Sequence, residues 1–306
     1  MLQFFKNTKY DFLRLSKAAI TLSLTFILIS AVSVAYHKGF NMSIDFAGGT
    51  TVQLKFEKQM RDELTNIRNA VGALGFGQPE IKTIGLADNN EIQITVRSSQ
   101  SGDVNAVVEA IRGVLGSTMP DNAFEVLRIE NVGPKIGGEL TRDAVIAATL
   151  ALLAILVYVG FRFKLSYAVA SVIPLFHDVL ITLGIFSLLN LELTLPFLAA
   201  VMTIIGYSLN DTIVVFDRIR ENVKNGLRGK TFQEVVNGSI NQTLSRTIIT
   251  SVTTLFTVLA LYVLGSDSIK DFALALTIGV VVGTYSTLFI AVSILVWWHK
   301  KWGVVK

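Results

Sequence analysis

Residues 195–220, LPFLAAVMTIIGYSLNDTIVVFDRIR, form an apolar run interrupted by one carboxylate, Asp211, before charged residues resume at Asp217. A helix rises about 1.5 Å per residue, so roughly twenty apolar residues span the hydrocarbon layer of a bilayer. An ionisable side chain inside that layer costs about 3 kcal/mol or more, which makes Asp211 a functional-site hypothesis by default. The rest of the chain agrees with a membrane setting. Its 306 residues are 51% hydrophobic and 16% charged, with a mean hydropathy of +0.55, values that place most of the chain in lipid. The net charge of +4 sits in short loops beside apolar runs, the pattern of membrane topology and not of nucleic-acid binding. With no cysteine and only three scattered histidines, His37, His177 and His299, neither a disulfide nor a metal or cofactor site is expected.

The chain begins with a cytoplasmic segment, residues 1–17, in which Phe4, Phe5, Phe12, Leu13 and Leu15 alternate with Lys6, Lys9, Arg14 and Lys17. It reads as an amphipathic surface segment or as the basic flank of the first span, residues 18–36. That span resembles a signal peptide ending at Ser33-Val34-Ala35, but its length and the spans that follow predict an uncleaved anchor. Residues 37–142 then change character. Alternation at Val52, Leu54 and Phe56 predicts a strand, and Leu64, Ile67, Val71 and Leu74 predict a helix within residues 60–74. Strands at 80–84 and 91–96 flank a turn at 87–90, a helix covers 103–115, and a strand covers 124–129. The order βαββαβ is the split, ferredoxin-like α+β arrangement. Two glycine-bearing segments bracket it, Ile44-Asp45-Phe46-Ala47-Gly48-Gly49-Thr50 and Val132-Gly133-Pro134-Lys135-Ile136-Gly137-Gly138-Glu139-Leu140. Gly48, Gly49, Gly133, Pro134, Gly137 and Gly138 are hinge candidates, or simply the residues of connecting turns.

Five further spans are predicted at 143–161, 167–189, 195–216, 246–264 and 272–298, giving an α-helical membrane protein with six transmembrane helices. Lys and Arg collect before the first span, at Arg162 and Lys164, at Arg218, Arg220, Lys224, Arg228 and Lys230, and at Lys300, Lys301 and Lys306. Both termini, the connector 217–245, which reads as a helix pair, and the tail 299–306 are therefore expected in the cytoplasm. The domain 37–142 is expected outside, in the periplasm of a bacterium.

Two ionisable residues stand away from the water-facing ends of spans four and five, Asp211 and Arg246. A lone aspartate in lipid takes up a proton and an adjacent arginine holds it ionised, so the two suit a proton carrier that switches; a permanent pair joining two helices is the alternative. Tyr207, Ser208 and Thr203 precede Asp211 at helical spacing, and Thr247, Thr250, Ser251, Thr253 and Thr254 add hydroxyls on span five. Hydroxyls also satisfy themselves on helix carbonyls, so each alone is weak evidence. In span three, His177-Asp178 reads as a proton relay or as a satisfied interior cluster, with Pro174 one turn earlier able to kink the helix. Gly279 and Gly283 form a GxxxG packing step. Gly229-Lys230-Thr231 ends like a phosphate-binding loop, but Lys224 occupies the required first glycine position. Asp178 and Asp211 lack the Gly-x-Gly-Asp of an intramembrane aspartyl protease. The chain is therefore not expected to be an enzyme.

The two glycine motifs, His177-Asp178, and Gly206-Tyr207-Ser208-Leu209-Asn210-Asp211 running into Asp217-Arg218-Ile219-Arg220-Glu221-Asn222 together resemble the SecF family over essentially the whole chain. SecF proteins are the smaller half of bacterial SecD/SecF accessories of the Sec export channel, within the resistance-nodulation-division superfamily. The resemblance implies an inner-membrane subunit that uses the proton motive force to promote preprotein translocation and release on the periplasmic side. It implies SecD as partner with six further spans, association with the SecYEG channel and with SecA on the cytoplasmic side, contacts extending to YajC and YidC, and the proton as coupling ion. By the same resemblance Asp211 matches the proton-carrying aspartate and Arg246 its partner, while Asn210 belongs to the motif. The competing classes are a passive scaffold of the channel and a small-solute proton antiporter of the same superfamily.

Overall fold

The computed structural model describes residues 8–59, 63–76, 79–84, 90–97, 104–227 and 229–303. The start of the chain through Asn7, Met60, the turn residues 87–89, Asp103, Arg228 and Lys306 lie outside the described residues. The chain divides into two compact units, a helical unit (residues 1–41, 147–192 and 196–306) and a sheet unit (residues 42–146 and 193–195).

The sheet unit holds β1 (Gly49–Phe56), α3 (Leu64–Gly72), β2 (Glu80–Ile84), β3 (Glu91–Val96), α4 (Val104–Thr118) and β4 (Phe124–Val132), preceded by a single helical turn α2 (Ile44–Ala47). Its four strands form one antiparallel sheet in the order β2-β3-β1-β4. The register pairs Val52 with Ile94 and with Ile129, and Leu54 with Ile92. Strand side chains alternate between faces, so Val52, Leu54 and Phe56 of β1 join Ile92, Ile94 and Val96 of β3 in one buried layer. Helix α3 closes on it with Ile67 and Val71, and α4 with Val107, Val108, Ile111 and Leu115.

The double glycine is required at the start of β1. Gly48 and Gly49 have φ of +76° and +147°, and a Cβ on Gly49 would lie 2.6 Å from the Val96 carbonyl oxygen. A side chain there meets both the wrong backbone region and a neighbouring strand. A Cβ on Gly137 would similarly fall 2.7 Å from the Phe46 carbonyl oxygen, whereas Gly133 and Gly138 have open space around them. Beside this corner, Met42 pairs with Leu193 in a parallel bridge and the Ser43 amide donates to the Leu193 carbonyl at 3.0 Å.

Among the described residues, six helices are long and apolar enough to cross a membrane: α1 (Phe12–Tyr36), α5 (Pro134–Arg162), α6 (Leu165–Leu188), α7 (Leu195–Lys224), α8 (Phe232–Leu264), and a last span, Ile269–Trp302, built from α9 (Asp267–Ser286), a π-helical segment (Thr287–Ala291) and α10 (Val292–Trp302). Several extend well beyond the apolar runs. Helix α5 starts at Pro134, whose fixed φ and missing N–H suit a first helical position, so Pro134, Gly137 and Gly138 occupy its opening turns. Helix α8 starts after Thr231, which forms a capping box: its hydroxyl accepts from the Glu234 amide and Glu234 Oε2 accepts from the Thr231 amide at 2.7 Å. Pro174 lies inside α6.

Candidate functional site in the membrane core

Helix α7 presents Phe197, Val201, Ile204, Ser208, Asp211, Val215 and Ile219 as one buried line. The steps of three and four residues are those of a single helix face. Asp211 therefore takes a place in a packing stripe where an apolar residue is the ordinary occupant, and it is only 3% exposed. Facing it, α8 buries Ile240, Thr243, Leu244, Thr247 and Ser251 at the same spacing.

The polar contacts of Asp211 come from two neighbouring hydroxyl residues of α8, Ser251 and Thr250. Ser251 Oγ stands 3.4 Å from Asp211 Oδ2 and 2.7 Å from Thr284 Oγ1, and Thr284 donates its own proton to the Val280 carbonyl at 2.7 Å. Ser251 has one proton to give. Asp211 Oδ2 and Thr284 Oγ1 are both within reach of it, the Thr284 contact being the shorter.

Arg246 does not pair with Asp211. Among the described residues no ion pair within 4.0 Å joins them, although Arg246 lies within electrostatic range of the carboxylate. Its exposed side chain lines an open cavity of about 340 Å³ with Tyr158, Arg162, Phe163, Ile213, Val214 and Asp217. On α8 it neighbours the buried Thr247, one residue and about 100° around the helix, which turns it off the line that meets Asp211.

The expected hydroxyl stripe before Asp211 is only partly assembled. Ser208 is buried on the same line, Tyr207 is half-buried with its hydroxyl enclosed and unpartnered, and Thr203 and Asn210 are exposed. Thr203 returns its proton to the Ala199 carbonyl at 2.8 Å.

His177 and Asp178 belong to a different, denser cluster. Asp178 is fully buried; its Oδ1 stands 2.9 Å from His177 Nδ1, and its Oδ2 accepts from Ser208 at 2.6 Å and from Ser286 at 2.9 Å. His177 Nε2 stands 2.9 Å from Ser23 Oγ, which stands 3.0 Å from the Tyr285 hydroxyl. Four spans, α1, α6, α7 and the last, meet in this network. Close helix approach makes it possible: a Cβ on Gly279 would lie 2.2 Å from Ile204 Cγ1, and one on Gly283 would lie 3.0 Å from Ser208 Cβ.

Sequence reasoning did not find Ser23, Tyr285, Thr284 or Ser286. A usable signal existed on the first span, where Ser16, Ser23, Ser30 and Ser33 recur at heptad-like spacing and are all buried. Also unforeseen is the π-helical segment, which follows Ser286 and holds Thr287 2.8 Å from Thr212. Such segments recur at functional sites.

Over residues 114–301 the chain matches the family model described as protein export membrane protein SecD/SecF, C-terminal, and over residues 36–60 that of the SecD/SecF GG motif. It is 43% identical over 293 residues to the protein translocase subunit SecF of Desulfurispirillum indicum, covering 95% of this chain and 92% of that relative. The chain belongs to the SecF family. Another member, from Vibrio alginolyticus, is 42% identical over 95% of this chain and 90% of its own length. Among solved structures the chain is similar to the crystal structure of SecDF, a translocon-associated membrane protein from Thermus thermophilus, with a TM-score of 0.83 and 39% identity over 96% of this chain. It spans 39% of that longer SecDF chain. SecDF in a super-membrane-facing form gives a TM-score of 0.71 at the same identity. The stretch matched by the GG-motif model includes Gly48 and Gly49, and the stretch matched by the C-terminal model includes Asp178, Asp211 and Arg246.

Proposed function

We propose that this chain is a subunit of a proton-motive-force-driven accessory of the Sec translocon, promoting preprotein translocation and release on the outer side of the bacterial inner membrane. The observation that carries the reading is the setting of Asp211: a carboxyl group in the buried stripe of an apolar span, touched by the Ser251 hydroxyl at 3.4 Å and by the Thr250 side chain, with no ion pair to Arg246 within 4.0 Å among the described residues. A carboxylate serving only as helix glue would be held by short, charge-assisted bonds. A carboxyl that must load and unload a proton is better served by few partners, and the unpaired geometry suits the loaded half of such a cycle. In the unloaded half Arg246, now lining the neighbouring cavity, swings to the ionised carboxylate.

In this reading SecD is the partner that supplies the remaining spans, as the longer SecDF chains suggest, and the assembly sits beside SecYEG, with SecA on the cytoplasmic side and YajC and YidC as further neighbours. The sheet unit is a ferredoxin-like periplasmic domain whose motion draws the preprotein outward. Both termini lie in the cytoplasm, in keeping with the basic loops.

Export stimulation in vesicles containing the channel, SecD and this chain tests the reading. Asp211→Asn should assemble normally and abolish the stimulation that depends on a proton gradient. Full stimulation with that variant would leave only the scaffold role.

A further inference from the structure

A proton count through the His177 network carries an inference independent of Asp211. Tyr285 donates its hydroxyl proton to the Ala19 carbonyl in a bond of 2.5 Å, since a carbonyl can only accept. The contact between Tyr285 and Ser23, 3.0 Å, therefore needs the Ser23 proton. With that proton spent, the 2.9 Å contact between Ser23 Oγ and His177 Nε2 needs a proton on Nε2. The 2.9 Å contact between His177 Nδ1 and Asp178 Oδ1 needs one more, on either atom. Asp178 Oδ2 accepts on its other side from Ser208 at 2.6 Å and stands 2.9 Å from Ser286 Oγ, whose single proton is shared between this oxygen and the Gly283 carbonyl at 3.1 Å.

From this chain of donors we propose that His177 and Asp178 form a second proton-holding centre in the membrane core, a dyad that carries two protons and no net charge. The usual form of such a pair, a neutral imidazole donating to a carboxylate, carries one proton and a net negative charge. Burying that charge beneath an 8% exposed histidine and a 0% exposed aspartate would be costly. The two-proton form removes the charge and satisfies the contacts that join Tyr285, Ser23, His177 and Asp178 Oδ1. The dyad gives up its extra proton when Tyr285 turns its hydroxyl from Ala19 toward Ser23, because Ser23 then donates to Nε2. A shift of the last span against α1 is enough to make that change, so the dyad converts helix movement into proton release.

The elements packed against α6 are α1, α9, the π segment and α10, with α7 reaching it through Ser208. Ser23, Tyr285, Ser286 and Ser208 are the groups they bring to the network, and Tyr285 is the titratable one among them. Asp211 lies one turn further along α7, and its contacts are with Ser251 and Thr250 on α8.

The test is nitrogen-15 NMR of histidine in the full chain, assembled with SecD in lipid bilayers, with His37→Gln and His299→Gln so that one imidazole is observed. Between pH 6 and pH 8, Nε2 of His177 should carry a proton throughout, and Tyr285→Phe should convert it to an unprotonated acceptor toward the upper end of that range. An unprotonated Nε2 in the chain with Tyr285 intact overturns the proposal, as does a spectrum unchanged by Tyr285→Phe. Ser23→Ala serves as a second probe should Tyr285→Phe fail to assemble: with Ser23 gone, Nε2 has no acceptor and the imidazole should revert to the one-proton form. Persistence of the two-proton form in Ser23→Ala counts against the donor chain. Neither outcome depends on whether Asp211 carries protons.

Discussion

The carboxylate of Asp45 accepts a hydrogen bond of 3.0 Å from the backbone amide of Leu195, the first residue of α7. Asp45 belongs to the glycine motif that opens the sheet unit, and Leu195 begins the helix that carries Asp211 sixteen residues later. A negative side chain at a helix N-terminus satisfies one of the free amides there and complements the helix dipole. Ser43 steadies the carboxylate by donating to Oδ2 at 3.1 Å. The glycine motif and the first residue of α7 are thus joined at one defined hydrogen bond.

Replacing Asp45 with Ala should remove that bond and destabilise the first turn of α7 by about 1 kcal/mol, the usual worth of an N-terminal cap. Asp45→Asn keeps an acceptor and should lose less. Hydrogen exchange of the amides at the start of α7 is the measurement, with faster exchange expected in the order Ala, Asn, unmodified chain. Equal exchange in all three would show the contact to be incidental.

The glycines of the second motif should separate sharply. Gly137→Ala places a Cβ 2.7 Å from backbone, an overpacking expected to destabilise by about 1–3 kcal/mol. Gly138→Ala meets open space inside the same helix and should stabilise by about 0.5–1 kcal/mol through helix propensity. Thermal unfolding in detergent compares them, and a shift of the same sign for both would contradict the packing.

Gly279→Ala drives a methyl into Ile204, whose Cγ1 lies 2.2 Å from the built Cβ. A loss of about 1–3 kcal/mol is expected, with part of it recovered when Ile204→Ala is added. Additive losses in the double variant would mean that the two helices do not meet at this point.

Arg246→Met should assemble and keep the fold, because Arg246 is exposed and outside the buried line of α8, yet it should suppress proton-coupled export. Unchanged proton flux in this variant would remove Arg246 from the mechanism.

The six spans were legible because a bilayer demands about twenty apolar residues in succession, a signal that needs no tertiary context. Strand alternation and helical spacing similarly located β1 through β4 and the helices between them. Helix lengths were not legible, since an apolar run records the thickness of lipid whereas Pro134 and the Thr231 capping box fix where α5 and α8 begin. Asp211 announced itself by cost alone. The partners of His177 and Asp178 did not, because Ser23, Ser208 and Ser286 are each equally able to bond their own helix carbonyls, and which do so is decided by how the helices pack. Thr203 is the reverse example: it shares the spacing of a polar stripe but faces outward. The cap at Asp45 joins residues 150 positions apart and leaves no local pattern at all.

The central claim is that Asp211 loads and unloads a proton during the cycle. Proton flux into vesicles holding this chain with SecD, driven by an imposed gradient and compared with Asp211→Asn, tests it most directly. The account predicts measurable flux with Asp211 and none above the leak of empty vesicles with Asn. Equal flux in the two would contradict it.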